Sequence, residues 1–103
     1  MSHISQPESQ EYAPFYSDYI QRASTRQDLT AALSLQPDEM KSALGGLSDS
    51  QARFKPGPQE WSIKEVVSHL IDGERVFSYR LLRVSRKDKT PLSGFEQNDY
   101  VRE

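Results

Sequence analysis

The sequence predicts an all-α protein built around two long helices. Apolar side chains recur at spacings of three and four residues over residues 25–47 and 61–86, as on one face of a helix. The second of these segments opens with a strong helix-start signal at Ser62. Pro and Gly concentrate between and after the segments, at residues 55–58 and 91–94, where they favour turns. Since two facing stripes leave their flanks in water, a stable domain needs further helices or a second copy.

Composition narrows the class of protein. With 103 residues the chain forms at most one domain, and 35% hydrophobic residues predict a thin core or one shared with a partner. The absence of cysteine excludes disulfides and thiolate zinc sites, so a metal would need imidazole and carboxylate ligands. A net charge of −2 argues against a nucleic-acid partner. No apolar run approaches the roughly 18–20 residues of a membrane span and no signal pattern is present, so we expect a cytoplasmic protein without membrane contact.

The chain divides into a polar, flexible N-terminus over residues 1–11 and a helical domain over residues 12–103. The domain opens with aromatic and aliphatic residues spaced three or four apart, which predict one apolar face of a short helical turn. We expect this face to pack against the domain, with a wall that contacts substrate as the alternative. Its members are Tyr12, Phe15, Tyr16, Tyr19 and Ile20.

The first long helix is predicted between Thr25 and Leu47. Thr25 can cap it, with Asp28 in the first turn where the helix dipole favours a carboxylate. Pro37 predicts a bend rather than a break, and Gly45 with the following glycine ends the helix. Ser48 then caps one more short turn before the turn residues at 55–58.

The second long helix has the clearest boundaries. Ser62 and Glu65 form a capping box, and Trp61 can pack on Val66 across the start. The helix runs to about Arg86, and the residues after it form a loop in which Leu92 and Phe95 are the apolar anchors, with a further helix starting near Tyr100. Its apolar residues occupy a sector of about 100°, which predicts a face turned to the core. They are Ile63, Val66, Val67, Leu70, Phe77, Leu81 and Val84.

His69 is the candidate for chemistry, because it lies at the margin of this apolar sector. A half-buried imidazole there can ligate a metal through one nitrogen, with Glu65 and Asp72 near it on the helix. The alternative is a packed or capped histidine beside a solvated acidic face. Glu74 falls near the centre of the stripe, where a buried carboxylate needs a partner. It would belong either to a structural network or to acid–base chemistry.

Two motifs carry a resemblance to a known family. Trp61–Leu70 reads W-S-x-x-E-x-x-x-H-L, and Pro91–Val101 reads P-L-x-G-F-x-Q-x-x-Y-V. From about Tyr16 to Val101 the chain resembles the DinB-like superfamily, in particular its YfiT and bacillithiol-transferase branch. The resemblance implies an up-down-down-up four-helix bundle, commonly a homodimer, of which this chain is the N-terminal two-thirds.

The resemblance also implies a divalent metal, zinc or nickel, held by three histidines. His69 matches the ligand on the second helix, while Asp72, Glu74 and Arg80 match supporting positions. The H-x-x-x-H pair of the late helix is absent, and His3 is the remaining imidazole. Two copies of His69, with Glu65 or Asp72, are a further option.

The implied activity is metal-dependent hydrolysis, or S-transfer with a small-molecule thiol, by a site that is incomplete in this chain. The alternative is a non-catalytic helical module for dimerisation or interaction, or a truncated remnant of the family domain.

Overall fold

The protein consists of helices, turns and loops over residues 4–103, the part of the chain that the computed structural model describes. The predicted all-α class is confirmed. Chain contacts divide the protein into two compact units, Met1–Gly46 and Leu47–Glu103, and each is described by itself. The helices are α1 (Ser17–Ser24), α2 (Leu29–Leu44), α3 (Asp49–Arg53), α4 (Ile63–Ser85) and α5 (Gln97–Arg102), preceded by 3-10 turns at Ser9–Glu11 and Pro14–Tyr16.

The first unit begins with an aromatic cluster that lies in water. The ring of Phe15 is 5.1 Å from that of Tyr16 and 6.3 Å from that of Tyr19. All three side chains are exposed, Phe15 by 74%. The expectation that this face packs against the domain is therefore wrong for these three rings, which contact one another instead.

Helix α2 starts later than the sequence suggested. Asp28 is the N-cap, and its carboxylate accepts from the backbone N–H of Ala31 at 3.0 Å. Thr25 instead ends α1, where its hydroxyl donates to the carbonyl of Arg22. An Asp caps at least as well as a Thr, so the later residue starts the helix. The helix continues through Pro37 and ends before Gly45, as predicted.

In the second unit, short-range caps set the helix ends. Ser48 and Gln51 form a capping box at α3, as expected for one short turn. Helix α4 runs from the N-cap Ser62 to the C-cap Arg86, within one residue of its predicted limits. Helix α5 begins at Gln97 rather than near Tyr100, because the side chain of Glu96 caps it by accepting from the amide of Asn98.

The C-terminus of α4 closes in a left-handed turn. The amide of Asp88 donates to the carbonyl of Arg83 at 3.0 Å, and that of Lys87 donates to the carbonyl of Val84 at 3.0 Å. This is the Schellman pattern, which normally places glycine at the residue with positive φ. Here Lys87 occupies it with φ of 55°. The turn reverses the chain, and α5 packs on α4.

The apolar stripe of α4 does not face a core. Six of the seven predicted residues are exposed, while Val67 is half-buried. No hydrophobic side chain among residues 4–103 is buried, and the exposed fraction in the stripe ranges from 38% to 70%. The prediction of a core-facing stripe is wrong within this chain because α3 and the segment after α4 cover a different side of the helix.

Among the described residues, no helix has the length and apolar character needed to cross a membrane.

Candidate functional site

The candidate site is built on the first three turns of α4. Ser62 is buried at 3% exposure, its Oγ accepts from the amide of Glu65 at 3.2 Å, and its hydroxyl donates to Glu65 Oε1 at 3.2 Å. This cap fixes where α4 starts and therefore which way the residues one and two turns later project. Trp61, just before the cap, and His69, two turns after it, come together on that side.

His69 lies against Trp61. The two ring centroids are 5.1 Å apart with the planes tilted by 50°, and both residues are half-buried. The imidazole is thus neither free in bulk water nor enclosed among aliphatic groups. The indole forms an apolar wall on one side of the imidazole.

Glu65 is already engaged by other groups. Lys55 Nζ lies 3.0 Å from its Oε1, and the side-chain exposure of Glu65 is 25%. The hydrogen bond from Lys55, more than its charge or the bonds from Ser62, lowers the pKa of the Glu65 carboxyl below its ordinary value. Glu65 is therefore an ionised capping group that a metal would have to take from Lys55 and Ser62.

The side of His69 towards the next turn is more open. Asp72 and Gly73 are half-buried there, and a Cβ built on Gly73 would meet nothing within 4 Å. The open space beside Gly73 can admit another side chain or a second helix. Among residues 4–103, however, no three His, Asp or Glu side chains converge to hold a metal ion. The other histidine, His3, lies outside the described residues.

Glu74 departs from its predicted environment. It is exposed, and among the described residues its carboxylate has no ion pair or side-chain hydrogen bond. The prediction that Glu74 needs a partner assumed that the stripe is buried. Because the stripe is exposed, that prediction is wrong.

Arg80 and its neighbour Arg83 hold the returning chain against α4. Arg80 donates from Nη2 to the carbonyl of Ser93 at 3.1 Å, and its guanidinium lies 5.7 Å from the centre of the Phe77 ring. Arg83 donates to the Tyr79 hydroxyl at 3.0 Å and to the carbonyl of Thr90. Arg80 thus supports local structure, and its role as a supporting position of a metal site stays a prediction.

Arg83 also forms the least exposed ion pair of the second unit. Its Nε lies 2.6 Å from Asp88 Oδ2 without the alignment of a hydrogen bond, and its side chain is 13% exposed. The pKa of the Asp88 carboxyl is lowered, mainly by the hydrogen bond from the backbone amide of Thr90 and less by the charge of Arg83. These contacts of Arg83 were not predicted from the sequence. The signals present were Tyr79 four residues earlier and an acidic residue just past the helix end.

Trp61 was placed only on Val66, and its contact with His69 was missed. Trp61 and His69 are eight positions apart, a little more than two helical turns. Because Trp61 precedes the helix, helical periodicity does not predict where its side chain lies. Trp61 and Val66 do line one shallow depression together with Gln97 and Asn98.

Comparison with known proteins places this arrangement in a family. The sequence profile of the DinB superfamily matches residues 32–101, which is more than half of the chain. A relative from Geobacillus thermodenitrificans described as "Putative metal-dependent hydrolase" is 27% identical over 81 residues, covering 79% of this chain and 46% of the relative. The chain thus spans about half the length of that relative. No solved structure is significantly similar. The motif around His69 and the one that ends in α5 both lie within the matched region, and the chain belongs to the DinB superfamily.

Proposed function

We propose that this chain carries one histidine of a divalent-metal site, His69, in a metal-dependent hydrolase or a transferase that acts on a small-molecule thiol. The observation that carries the proposal is His69 itself. It stands in the motif within the matched region and is half-buried, with its ring against that of Trp61 and open space one turn along at Gly73. The printed name of the Geobacillus relative supports metal dependence.

The described residues do not by themselves fit a closed metal site. Zinc in catalytic sites is usually held by three protein ligands with a fourth position open. Here Glu65 is bound to Lys55 and Ser62, and the described residues bring no group of three ligands together. We therefore assign His69 as the ligand this part of the protein supplies, with zinc or nickel as the ion, and derive no reaction step from it.

Metal binding can be measured through the single tryptophan. Trp61 is the only Trp of the chain and touches the His69 ring, so an ion on the imidazole should change its emission. We expect titration of the untagged protein with Ni²⁺ or Zn²⁺ to shift or quench the emission, with the weak affinity of an incomplete site. The experiment should be run at protein concentrations where the chain is monomeric.

A pair of histidine variants provides the control. His69→Ala should abolish the emission change, whereas His3→Ala should leave it intact. If neither ion alters the emission, or if His69→Ala responds like the parent, His69 is not a ligand and the proposal is wrong.

A second candidate is a non-catalytic helical interaction module. The observation that favours it is the exposed apolar stripe of α4, because contact of apolar side chains with water is unfavourable and a partner that covers them would stabilise the helix. The two candidates are separable, because metal ligation by His69 is followed through the Trp61 emission, whereas association through the stripe is followed by sedimentation with a chelator present.

A further inference from the structure

The C-terminal half of α4 borders a pocket of about 250 Å³, formed with the segment that returns along the helix. The α4 residues that line it are three or four apart and so share one face of the helix. That face lies about 120° around the helix axis from the exposed apolar stripe, so the pocket and the stripe are separate surfaces. Val76, Tyr79, Arg80 and Arg83 line the pocket from α4, and Phe95 and Tyr100 line it from the returning segment and α5.

Arg80 brings to this pocket a positive charge that no carboxylate of the described residues balances. Among residues 4–103, the arginines that form no ion pair are Arg75, Arg80 and Arg86. Of these, Arg80 alone is half-buried. One of its N–H groups donates to the carbonyl of Ser93, and a guanidinium has five such donors. Arg80 therefore has both charge and donors left for an anion.

The charges near Arg80 do not oppose an anion. The described residues that line the pocket include two arginines and no acidic residue. The second arginine, Arg83, is neutralised by its ion pair with Asp88. On α5, Asp99 is paired with Arg102. The unpaired charge that lines the pocket is thus that of Arg80.

Aromatic rings form much of the remaining wall. The centroids of Phe95 and Tyr100 are 5.0 Å apart, with the ring planes tilted by 44°. The Tyr79 ring lies 5.4 Å from the guanidinium of Arg83. Rings of this kind give an apolar group a surface to pack on. Because pockets for drug-sized ligands measure roughly 300–1,000 Å³, a volume of about 250 Å³ limits the ligand to a small molecule.

We propose that this pocket binds a small organic acid, with its carboxylate on Arg80 and its apolar body against Phe95 and Tyr100. Arginine suits a carboxylate because its planar fork can donate to both oxygens in parallel. A half-buried cation also gains from an anion beside it, since part of its hydration is already lost. Inorganic phosphate would meet the charge but leave the rings without a contact, so the aromatic wall favours an organic acid.

This pocket is distinct from the proposed metal ligand. Arg80 follows His69 by eleven residues, which places it roughly 16 Å farther along the helix axis. A small acid on Arg80 therefore does not reach the imidazole. Binding can be measured with a chelator present, and His69→Ala should bind the acid as the parent does, so the result does not depend on the proposed function.

NMR titration of the parent protein tests the chemistry of the ligand without any variant. Benzoate, acetate, benzyl alcohol and inorganic phosphate are added in turn at constant ionic strength. We expect benzoate to shift the side-chain N–H signal of Arg80 and the ring signals of Phe95 and Tyr100, and to bind more tightly than the other three. If benzyl alcohol or phosphate binds as tightly as benzoate, or if no acid shifts these signals at millimolar concentration, the proposal is wrong.

Matched variants test the two walls. Arg80→Gln should weaken benzoate binding about tenfold or more, because it removes the charged fork. Arg75→Gln removes the same charge from an exposed position of α4 and should leave Kd within about twofold. A benzoate affinity that Arg80→Gln leaves unchanged would overturn the assignment.

A ring variant covers the case in which Arg80→Gln frees the segment that Arg80 holds through Ser93. Phe95→Leu keeps the arginine and should weaken benzoate binding about threefold or more while leaving acetate binding unchanged, because acetate has no ring to pack. Equal weakening of both acids would indicate a disturbed pocket rather than a lost ring contact, and would contradict the proposed position of the ligand.

Discussion

At the scale of single residues, the start of α4 shows how one local cap sets up several side chains. Ser62 caps the first turn by accepting from the Glu65 amide, and its hydroxyl donates to the Glu65 carboxylate. Lys55, in the preceding loop, forms an ion pair with the same carboxylate. The cap was predictable from sequence because its partners are three residues apart. The contact of Lys55 was not predictable, because nine residues, two of them prolines, lie between it and Glu65. The contact of Trp61 with His69 escaped prediction because Trp61 precedes the helix and the helical periodicity does not locate it.

The Lys55 contact gives the first prediction at this scale. Lys55→Ala should raise the pKa of the Glu65 carboxyl towards its ordinary value, because the hydrogen bond from Lys55 is the main cause of its lowering. Carboxyl chemical shifts followed by NMR against pH would measure the change. Lys64→Ala is the matched control, since Lys64 pairs with Asp49. A Glu65 titration that is the same in both variants would contradict the assignment.

At the scale of elements, helix boundaries were more predictable than helix faces. The limits of α4 follow from a cap and a loop within a few residues of each end, and the structure places them within one residue. Which side of α4 is covered depends on α3 and on the chain held by Arg80 and Arg83, and that information is not local. The stripe has the periodicity of a core face, yet it lies in water within this chain. Periodicity identifies a face that can be buried, but not the partner that buries it.

The end of α4 gives a prediction about an element. Lys87→Gly should stabilise the protein by about 0.5–1 kcal/mol, because a lysine with φ of 55° carries a steric cost that glycine does not. Thermal or urea unfolding followed by circular dichroism would measure it. Lys87→Ala keeps a Cβ and should show no such gain. Equal stabilisation by both variants would mean that the lysine side chain, rather than the backbone, is responsible.

At the scale of the whole molecule, ion pairs connect the elements of the second unit, and the carboxyls of three of them respond to pH. The pKa values of Asp49, Glu65 and Asp88 are all lowered, first of all by hydrogen bonds from Lys64, Lys55 and the Thr90 amide respectively. Because its pKa is lowered in the folded state, each carboxyl stabilises the protein at pH values above its ordinary pKa. This stabilisation is lost as the pH falls through the pKa that the carboxyl has in the folded state.

The sign of these shifts predicts the acid response of the protein. The ordinary values are 3.8 for Asp and 4.5 for Glu, so helical circular dichroism should stay constant from neutral pH down to about pH 5 and decline below it. The triple variant Asp49→Asn, Glu65→Gln, Asp88→Asn should be less stable at neutral pH and less sensitive to acid. If its acid curve follows that of the parent, these carboxyls do not govern the response.

The joint between α3 and α4 has one more consequence. Lys64 Nζ lies 2.7 Å from Asp49 Oδ1, and Lys55 bridges the intervening loop to Glu65, with three of these four side chains about half or more exposed. Contacts of this kind weaken as dissolved ions screen them, whereas contact between apolar faces is insensitive to screening. Helix α3 should therefore pack tightly on α4 in dilute buffer and loosely at high salt. Ionic strength, as well as temperature, then sets how rigid the structure around the start of α4, near His69, is.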